Sequence, residues 1–192
     1  MLIYVINLHR RPERLDAMRE ELKKQGLNAK LFTAIDEKPG YIGCKKSHLL
    51  LFEKCKTEPF FLILEDDCTF IEDISYFDEC VRQLPLNWDC LYLGGSPRKP
   101  QERYSDNLFW ANGVYTTHAI LWHNRKGGAI EYILSHKDDI EKIDNYFASV
   151  IQPLFNCYLT YPLIITQIQS PSDTCKRSDL STIVKNYNIF CK

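Results

Sequence analysis

Short, continuous apolar runs alternate with segments whose apolar residues recur at helical spacing, and no other feature constrains the chain as strongly. Leu2 to Leu8 is the first such run. Pro12, Leu15, Met18 and Leu22 then mark an amphipathic helix that opens on a proline and stops at Gly26. Ala29 to Ile35 is a second run ending at Asp36, and beyond the Pro39-Gly40 turn a helix carries Ser47, His48, Leu51, Phe52 and Cys55. Phe60 to Leu64 is a third run, Tyr76 to Leu84 a helix, and Asp89 to Leu93 a strand that stops at Gly94-Gly95. Strands separated by helices cannot pair through tight turns. They predict an α/β, Rossmann-like sandwich, a mainly parallel sheet flanked by helices, with ligands beyond the carboxyl ends of its strands.

The second half is less regular. Ser96 to Asn107, with Pro97, Pro100 and five charged residues, reads as an exposed loop and a candidate lid. Leu108 to Trp122 suggests paired strands, Arg125 to Ser135 and Asp144 to Val150 helices, and Tyr158 to Gln169 one or two strands. From Ser172 onward no pattern emerges. At 192 residues and 45% hydrophobic, residues 1–192 fit one domain. A net charge of -1, with basic and acidic residues interleaved, argues against a nucleic-acid binder.

Eight cysteines stand singly, without the close pairs of a zinc or redox motif, and several lie in apolar runs, where a reduced cysteine acts as a small hydrophobe. That favours an intracellular protein. The opening Met1 to Arg10 is too short and too soon charged for a signal peptide, and no segment approaches a membrane span. The ending, Asn188 to Lys192, is neither a retention signal nor a prenylation box. The expectation is a cytoplasmic chain without a transmembrane segment, with peripheral membrane contact and oligomeric state left open.

Glu65-Asp66-Asp67, at the end of the third run, gathers three carboxylates, which costs free energy unless a cation or hydrogen-bond donors offset the repulsion. A hard divalent ion such as Mn²⁺ or Mg²⁺ is the simplest partner, because it takes oxygen ligands and bridges carboxylates to phosphate. Strand alternation puts Glu65 and Asp67 on one side as its ligands and points Asp66 elsewhere. The turn Asn7-Leu8-His9-Arg10-Arg11-Pro12-Glu13-Arg14 adds guanidinium groups and a helix N-terminus, both suited to an anion. If the two strands end at one sheet edge, the turn and the acids face a crevice suited to a nucleoside diphosphate. By analogy with the acid that reads ribose in dinucleotide folds, Asp36 is placed as a contact to the nucleoside.

With those elements in order, the chain resembles glycosyltransferase family 25 from about Tyr4 to about Asp173. The resemblance rests on Val5-Ile6-Asn7-Leu8 with its arginine turn, Phe32-Thr33-Ala34-Ile35-Asp36, Gly43-Cys44-Lys45-Lys46-Ser47-His48, Leu64-Glu65-Asp66-Asp67 and Trp88-Asp89-Cys90-Leu91-Tyr92-Leu93-Gly94. Thr117-His118-Ala119, Gly128-Ala129, Ile143-Asp144 and Gln169-Ser170-Pro171-Ser172-Asp173 continue it. Trp122 and His123 depart from the small residues usual after the Thr-His-Ala strand.

The resemblance implies a GT-A fold, a UDP-sugar donor, most often UDP-galactose or UDP-glucose, a divalent cation, and inversion at the anomeric carbon. The acceptor hydroxyl would belong to a glycan, a lipid-linked saccharide or a protein. Asn7, Leu8, Arg10, Arg11, Arg14, Asp36, Ser47, His48 and Asp66 are then the donor-binding residues, and Glu65, Asp67, His118 and Asp173 the metal set. Asp144 is the general base, with Asp139 and Asp89 in reserve. Cys44 is read as packing beside His48. Two other readings stand beside this one. A non-catalytic nucleotide-sugar-binding module would keep the pocket and lose turnover. A haloacid dehalogenase-type phosphohydrolase would use an Asp-x-Asp-x-Thr frame, which Glu65-Asp66-Asp67-Cys68-Thr69 fits except at its first residue.

Overall fold

The computed structural model describes residues 1–168 and 190–191. Its centre is a seven-stranded sheet. In chain order the elements are β1 (Leu2–Asn7), α1 (Pro12–Lys24), β2 (Lys30–Thr33), α2 (Gly40–Lys54), β3 (Phe60–Glu65), β4 (Cys68–Phe70), α3 (Ser75–Arg82) and β5 (Cys90–Tyr92). They continue with β6 (Ser96–Pro97), β7 (Leu108–Trp110), β8 (Val114–Tyr115), β9 (Ala119–His123), α4 (Ala129–Ser135) and α5 (Ile143–Tyr146). A π-helical stretch, Phe147–Ile151, carries α5 on into α6 (Gln152–Leu154), and β10 (Cys157–Thr160) and β11 (Ile165–Gln167) follow.

The sheet order is β2-β1-β3-β9-β5-β10-β7. β1 pairs in parallel with β2 and β3, and β5 in parallel with β10, whereas β9 runs antiparallel between β3 and β5 and β7 antiparallel at the edge. The chain therefore leaves β1 to one side for β2 and returns to its other side for β3. That reversal opens a crevice at the carboxyl ends of β1 and β3.

Alternation along the strands sorts the core into two layers. Tyr4, Ile6, Phe61, Ile63, Cys90, Tyr92, Ile120 and Trp122 face the α2 side with Leu51, Phe52 and Cys55. Ile3, Val5, Leu62, Leu64, Leu91, Leu93, Ala119 and Leu121 face the α1 side with Met18 and Leu22. Trp122 sits at the centre of the first layer, edge-on to Phe52 at 4.9 Å and Phe147 at 5.1 Å between ring centroids. Full burial of such a ring contributes roughly 2–3 kcal/mol by its area.

Three expectations change. Leu108 to Trp122 holds three strands, none paired with another of the three: β7 pairs with β10, β8 with β6, and β9 with β3 and β5. β9 is apolar on both faces, so it joins the middle of the sheet, where both faces are covered. The Ser96 to Asn107 segment is fastened down: the Gln101 side chain donates to the Lys99 and Asn112 carbonyls and accepts from the Asn112 amide, and Arg103 lies over the Phe109 and Tyr161 rings. Finally, β2 is a short, mostly exposed edge strand, narrower than Ala29 to Ile35.

Candidate active site

A cavity of about 380 Å³ opens where β1, β2 and β3 end, closed on the far side by α2, the β8–β9 connection and the start of α5. Its lining includes Leu8, Arg10, Arg14, Asp36, Ser47, His48, Glu65, Asp66, Asp67 and Asp144. The sheet thus gathers residues from four separate stretches of sequence.

β3 distributes its terminal acids by alternation. Glu65 continues the Phe61–Ile63 face toward α2, where Thr117 Oγ1 donates to its Oε1 at 2.6 Å and His48 Nε2 lies 3.4 Å away. Burial raises its pKa, but His48 and Thr117 outweigh that and leave the carboxylate below its ordinary value. Asp66 turns toward α1, accepting from Asn7 Nδ2 at 2.7 Å and Arg14 Nη1 at 3.0 Å. Burial still holds Asp66 above the ordinary range, against the lowering effect of Asn7 and Arg14. Asp67, just past the strand, accepts from Gln167 Nε2 at 3.2 and 3.3 Å and stands 3.7 Å from Arg14. Burial first, then the charge of Glu65, pushes Asp67 up to about 7.

The arginine turn divides its charges. Arg10 pairs with Asp36 at 2.8 Å, tying the ends of β1 and β2 together at the rim. Arg11 pairs with Glu13 at 2.6 Å and is not among the cavity-lining residues. Arg14 is buried against Asp66 rather than solvated. Asn7 Nδ2 also donates to the Arg11 carbonyl, so one amide fixes both the turn and Asp66.

On α2, Gly43 lies where an added Cβ would be 2.2 Å from the Ile35 carbonyl oxygen, so only glycine lets the helix approach the β2 exit this closely. Ser47 accepts from the Ile35 amide and donates to the Gly43 carbonyl, fastening that approach. One turn apart, Cys44 and His48 face the cavity. Burial, followed by the charges of Glu65 and Asp144, pushes the Cys44 thiol well above its usual range.

Asp144 stands in the first turn of α5, lines the cavity, and accepts from the Asn145 amide at 2.8 Å. The reserve acids lie elsewhere. Asp139 is exposed in a 3₁₀ turn outside the cavity lining. Asp89 is fully buried at the amino end of β5, the opposite sheet edge, where it takes Arg125 and the Ala129 and Asn156 amides. It anchors helix α4 and does no chemistry in this crevice. His118 is fully buried and not among the lining residues; it sits against Gly94, and its Nδ1 pairs with Thr116 Oγ1 at 2.9 Å. Desolvation drops His118 to about 4. Asp173 lies outside the described residues.

Arg98, Tyr115, Tyr41, Lys142 and Gln167 also line the cavity and were not anticipated. Arg98 stacks over Tyr115 at 3.9 Å, and Lys142 over Tyr41 at 5.3 Å. Tyr41 comes from the first turn of α2, and the others from loops and short strands without periodicity. Thr116 is held at φ 73°, a conformation rare for a β-branched residue, and this strained turn presents Thr117 to Glu65.

The sequence match settles the family. The model for "Glycosyltransferase family 25 (LPS biosynthesis protein)" matches residues 1–40 and 38–101, which carry the arginine turn, the Gly43–His48 element and the three acids. The chain belongs to glycosyltransferase family 25. A "Glycosyltransferase 25 family member" of Aedes aegypti is 31% identical over a 128-residue alignment that covers 48% of this family 25 chain and 21% of that protein. The chain thus spans about a fifth of that relative's length. Among solved structures, A197 from STIV superposes with a TM-score of 0.50 at 13% identity, covering 88% of this chain and 85% of that one, a likeness of fold. A glycosyltransferase involved in glycosylation of the major capsid of PBCV-1 gives 0.49 at 11% identity, over 83% and 81%. The likeness to A197 agrees with the α/β, Rossmann-like sandwich described above, and membership of family 25 displaces the dehalogenase-type reading. Among the described residues, no helix is long and apolar enough to cross a membrane.

Proposed function

We propose that the cavity is the donor site of an inverting, metal-dependent glycosyltransferase that moves a hexose, galactose or glucose, from a UDP-sugar to a hydroxyl of a glycan, lipid-linked saccharide or protein. The reading treats residues 1–192 as one catalytic domain acting in the cytoplasm. The observation that carries it is the convergence of Glu65 and Asp67, Asp36 and Asp144, and Arg10 and Arg14 on one cavity at the carboxyl ends of β1 to β3.

The donor set fits a hard cation. Two half-buried carboxylates share the cavity, and burial, then the charge of Glu65, pushes Asp67 up to about 7. Glu65 and Asp67 would hold Mn²⁺ or Mg²⁺. When bound, such an ion neutralises the diphosphate as it departs. His118 sits behind the cavity wall, so the proposed metal set among the described residues is these two carboxylates.

The other side chains divide the remaining work. Asp36, held by Arg10, frames the ribose or uracil at the rim. Asn7 and Arg14 hold Asp66 and shape the floor, and Leu8, Ser47 and His48 complete the donor wall. Arg98 and Lys142 add positive potential where the diphosphate develops charge. Asp144 takes the proton of the acceptor hydroxyl as its oxygen attacks the anomeric carbon opposite the leaving UDP.

The test is turnover. Wild-type protein with Mn²⁺ and UDP-galactose or UDP-glucose is expected to release UDP. Asp144→Asn should keep donor binding and lose about 10²- to 10⁴-fold in rate, the usual worth of a general base. Wild-type turnover by Asp144→Asn overturns the base assignment. Donor binding without UDP release by the wild type supports a non-catalytic module instead.

A further inference from the structure

Cys44 and His48 are four residues apart on α2 and therefore share one helix face, which the sheet brings against the end of β3. One ligand atom from each of Cys44, His48 and Glu65 lies within 4.8 Å of the other two. His48 is 1% exposed, its Nδ1 has no hydrogen-bond partner among the described residues, and its contact to Glu65 is long at 3.4 Å. A buried imidazole held by one long contact keeps capacity for a further partner. The face is open to the cavity, which both Cys44 and His48 line.

We propose that Cys44, His48 and Glu65 form a binding site for a borderline-soft divalent cation, with Zn²⁺ as the best fit. A thiolate, an imidazole and a carboxylate are Zn²⁺ donors, and three protein ligands leave a fourth, tetrahedral position open to the cavity. This site is chemically distinct from the all-oxygen pair Glu65 and Asp67. Binding converts the Cys44 thiol to a metal-bound thiolate, and the displaced proton leaves to solvent through the cavity. Because Glu65 belongs to both sets, Zn²⁺ here would antagonise Mn²⁺ in the donor site; that consequence rests on the proposed function, and the binding itself does not.

Co²⁺ serves as the spectroscopic probe for Zn²⁺. The protein is titrated without donor or acceptor, in a Cys175→Ser background that removes the cysteine outside the described residues. Of the remaining thiols only Cys44 is not fully buried. The expected result is one equivalent of Co²⁺ with thiolate-to-metal charge-transfer absorption and the intense visible bands of four-coordinate cobalt, both displaced by Zn²⁺. Cys44→Ser and Cys44→Ala should abolish the charge-transfer band, and His48→Gln should weaken binding at least tenfold, whereas Asp67→Asn retains the band. Absence of the band in the otherwise intact protein, or its survival in both Cys44 variants, overturns the proposal. Neither result bears on UDP-sugar turnover, so the two readings fail separately.

Discussion

Arg14→Met is the sharpest probe of how the crevice is built. The substitution keeps an unbranched apolar stem and removes the guanidinium that pairs with Asp66 at 3.0 Å. Both groups are largely buried, Arg14 at 8% and Asp66 at 6% exposure, so water from the cavity they line replaces the lost partner only in part. Removing one member of a buried ion pair typically costs about 3–5 kcal/mol. Asn7 still donates to Asp66, and Asp66, already held above its ordinary range, can take up a proton. Both effects place the cost near the lower end, about 3 kcal/mol, or roughly 6–12 °C in Tm for a chain of this size. Urea unfolding followed by circular dichroism should be measured for Arg14→Met, Asp66→Asn and the double variant. The double variant removes both charges, so it should lose about 1–3 kcal/mol less than the sum of the singles. A loss below about 1 kcal/mol for Arg14→Met, or strict additivity, would refute the claim that this pair is a buried, mutually dependent unit.

Further tests address the back wall. Gly94→Ala places a Cβ 2.2 Å from the Ile165 carbonyl oxygen and 2.3 Å from His118 Nε2, so it should destabilise by about 3 kcal/mol in the same unfolding assay. Gly26→Ala, strained at φ +65° but with no atom within 4 Å, should cost only about 1 kcal/mol; equal losses would contradict the packing argument. His118 is held at about 4, below its ordinary 6.5, so between those values the unfolded chain binds the extra proton. Its contribution is fully present above pH 6.5 and is lost as pH falls through that window, by up to about 3 kcal/mol. Melting curves from pH 4 to 7 should therefore be less steeply acid-sensitive in His118→Gln than in wild type, and identical slopes would remove His118 from that account.

The first half of the fold was legible because its strands and helices announce themselves by period. β1, α1, α2, β3 and β5 lie where apolar runs, Pro12 and the Gly94-Gly95 stop place them. The direction of β9 was not legible, since a strand covered on both faces reads the same forward and backward. Nor were β4 and β6, of three and two residues, too short for a period to register, whereas Tyr158 to Gln169 does hold two strands, β10 and β11. At the site, the acids and the arginine turn stood out as unusual charge at strand ends. Arg98, Tyr115 and Lys142 did not, because chain topology rather than local pattern brings them to the cavity. Cys44 and His48 carried a usable signal in their four-residue helical spacing. Their third partner, Glu65, arrives from β3 and could be found only in three dimensions.

In the proposed function, Glu65 and Asp67 anchor a cation and the donor diphosphate in this cavity. Calorimetric titration of UDP-galactose and UDP-glucose, with Mn²⁺ and with a chelator, into wild type and Asp67→Asn tests it most directly. The expected result is saturable binding by the wild type only with Mn²⁺, and at least a tenfold weaker response in Asp67→Asn. Equal affinity with and without the ion, or full affinity in a folded Asp67→Asn protein, would contradict it.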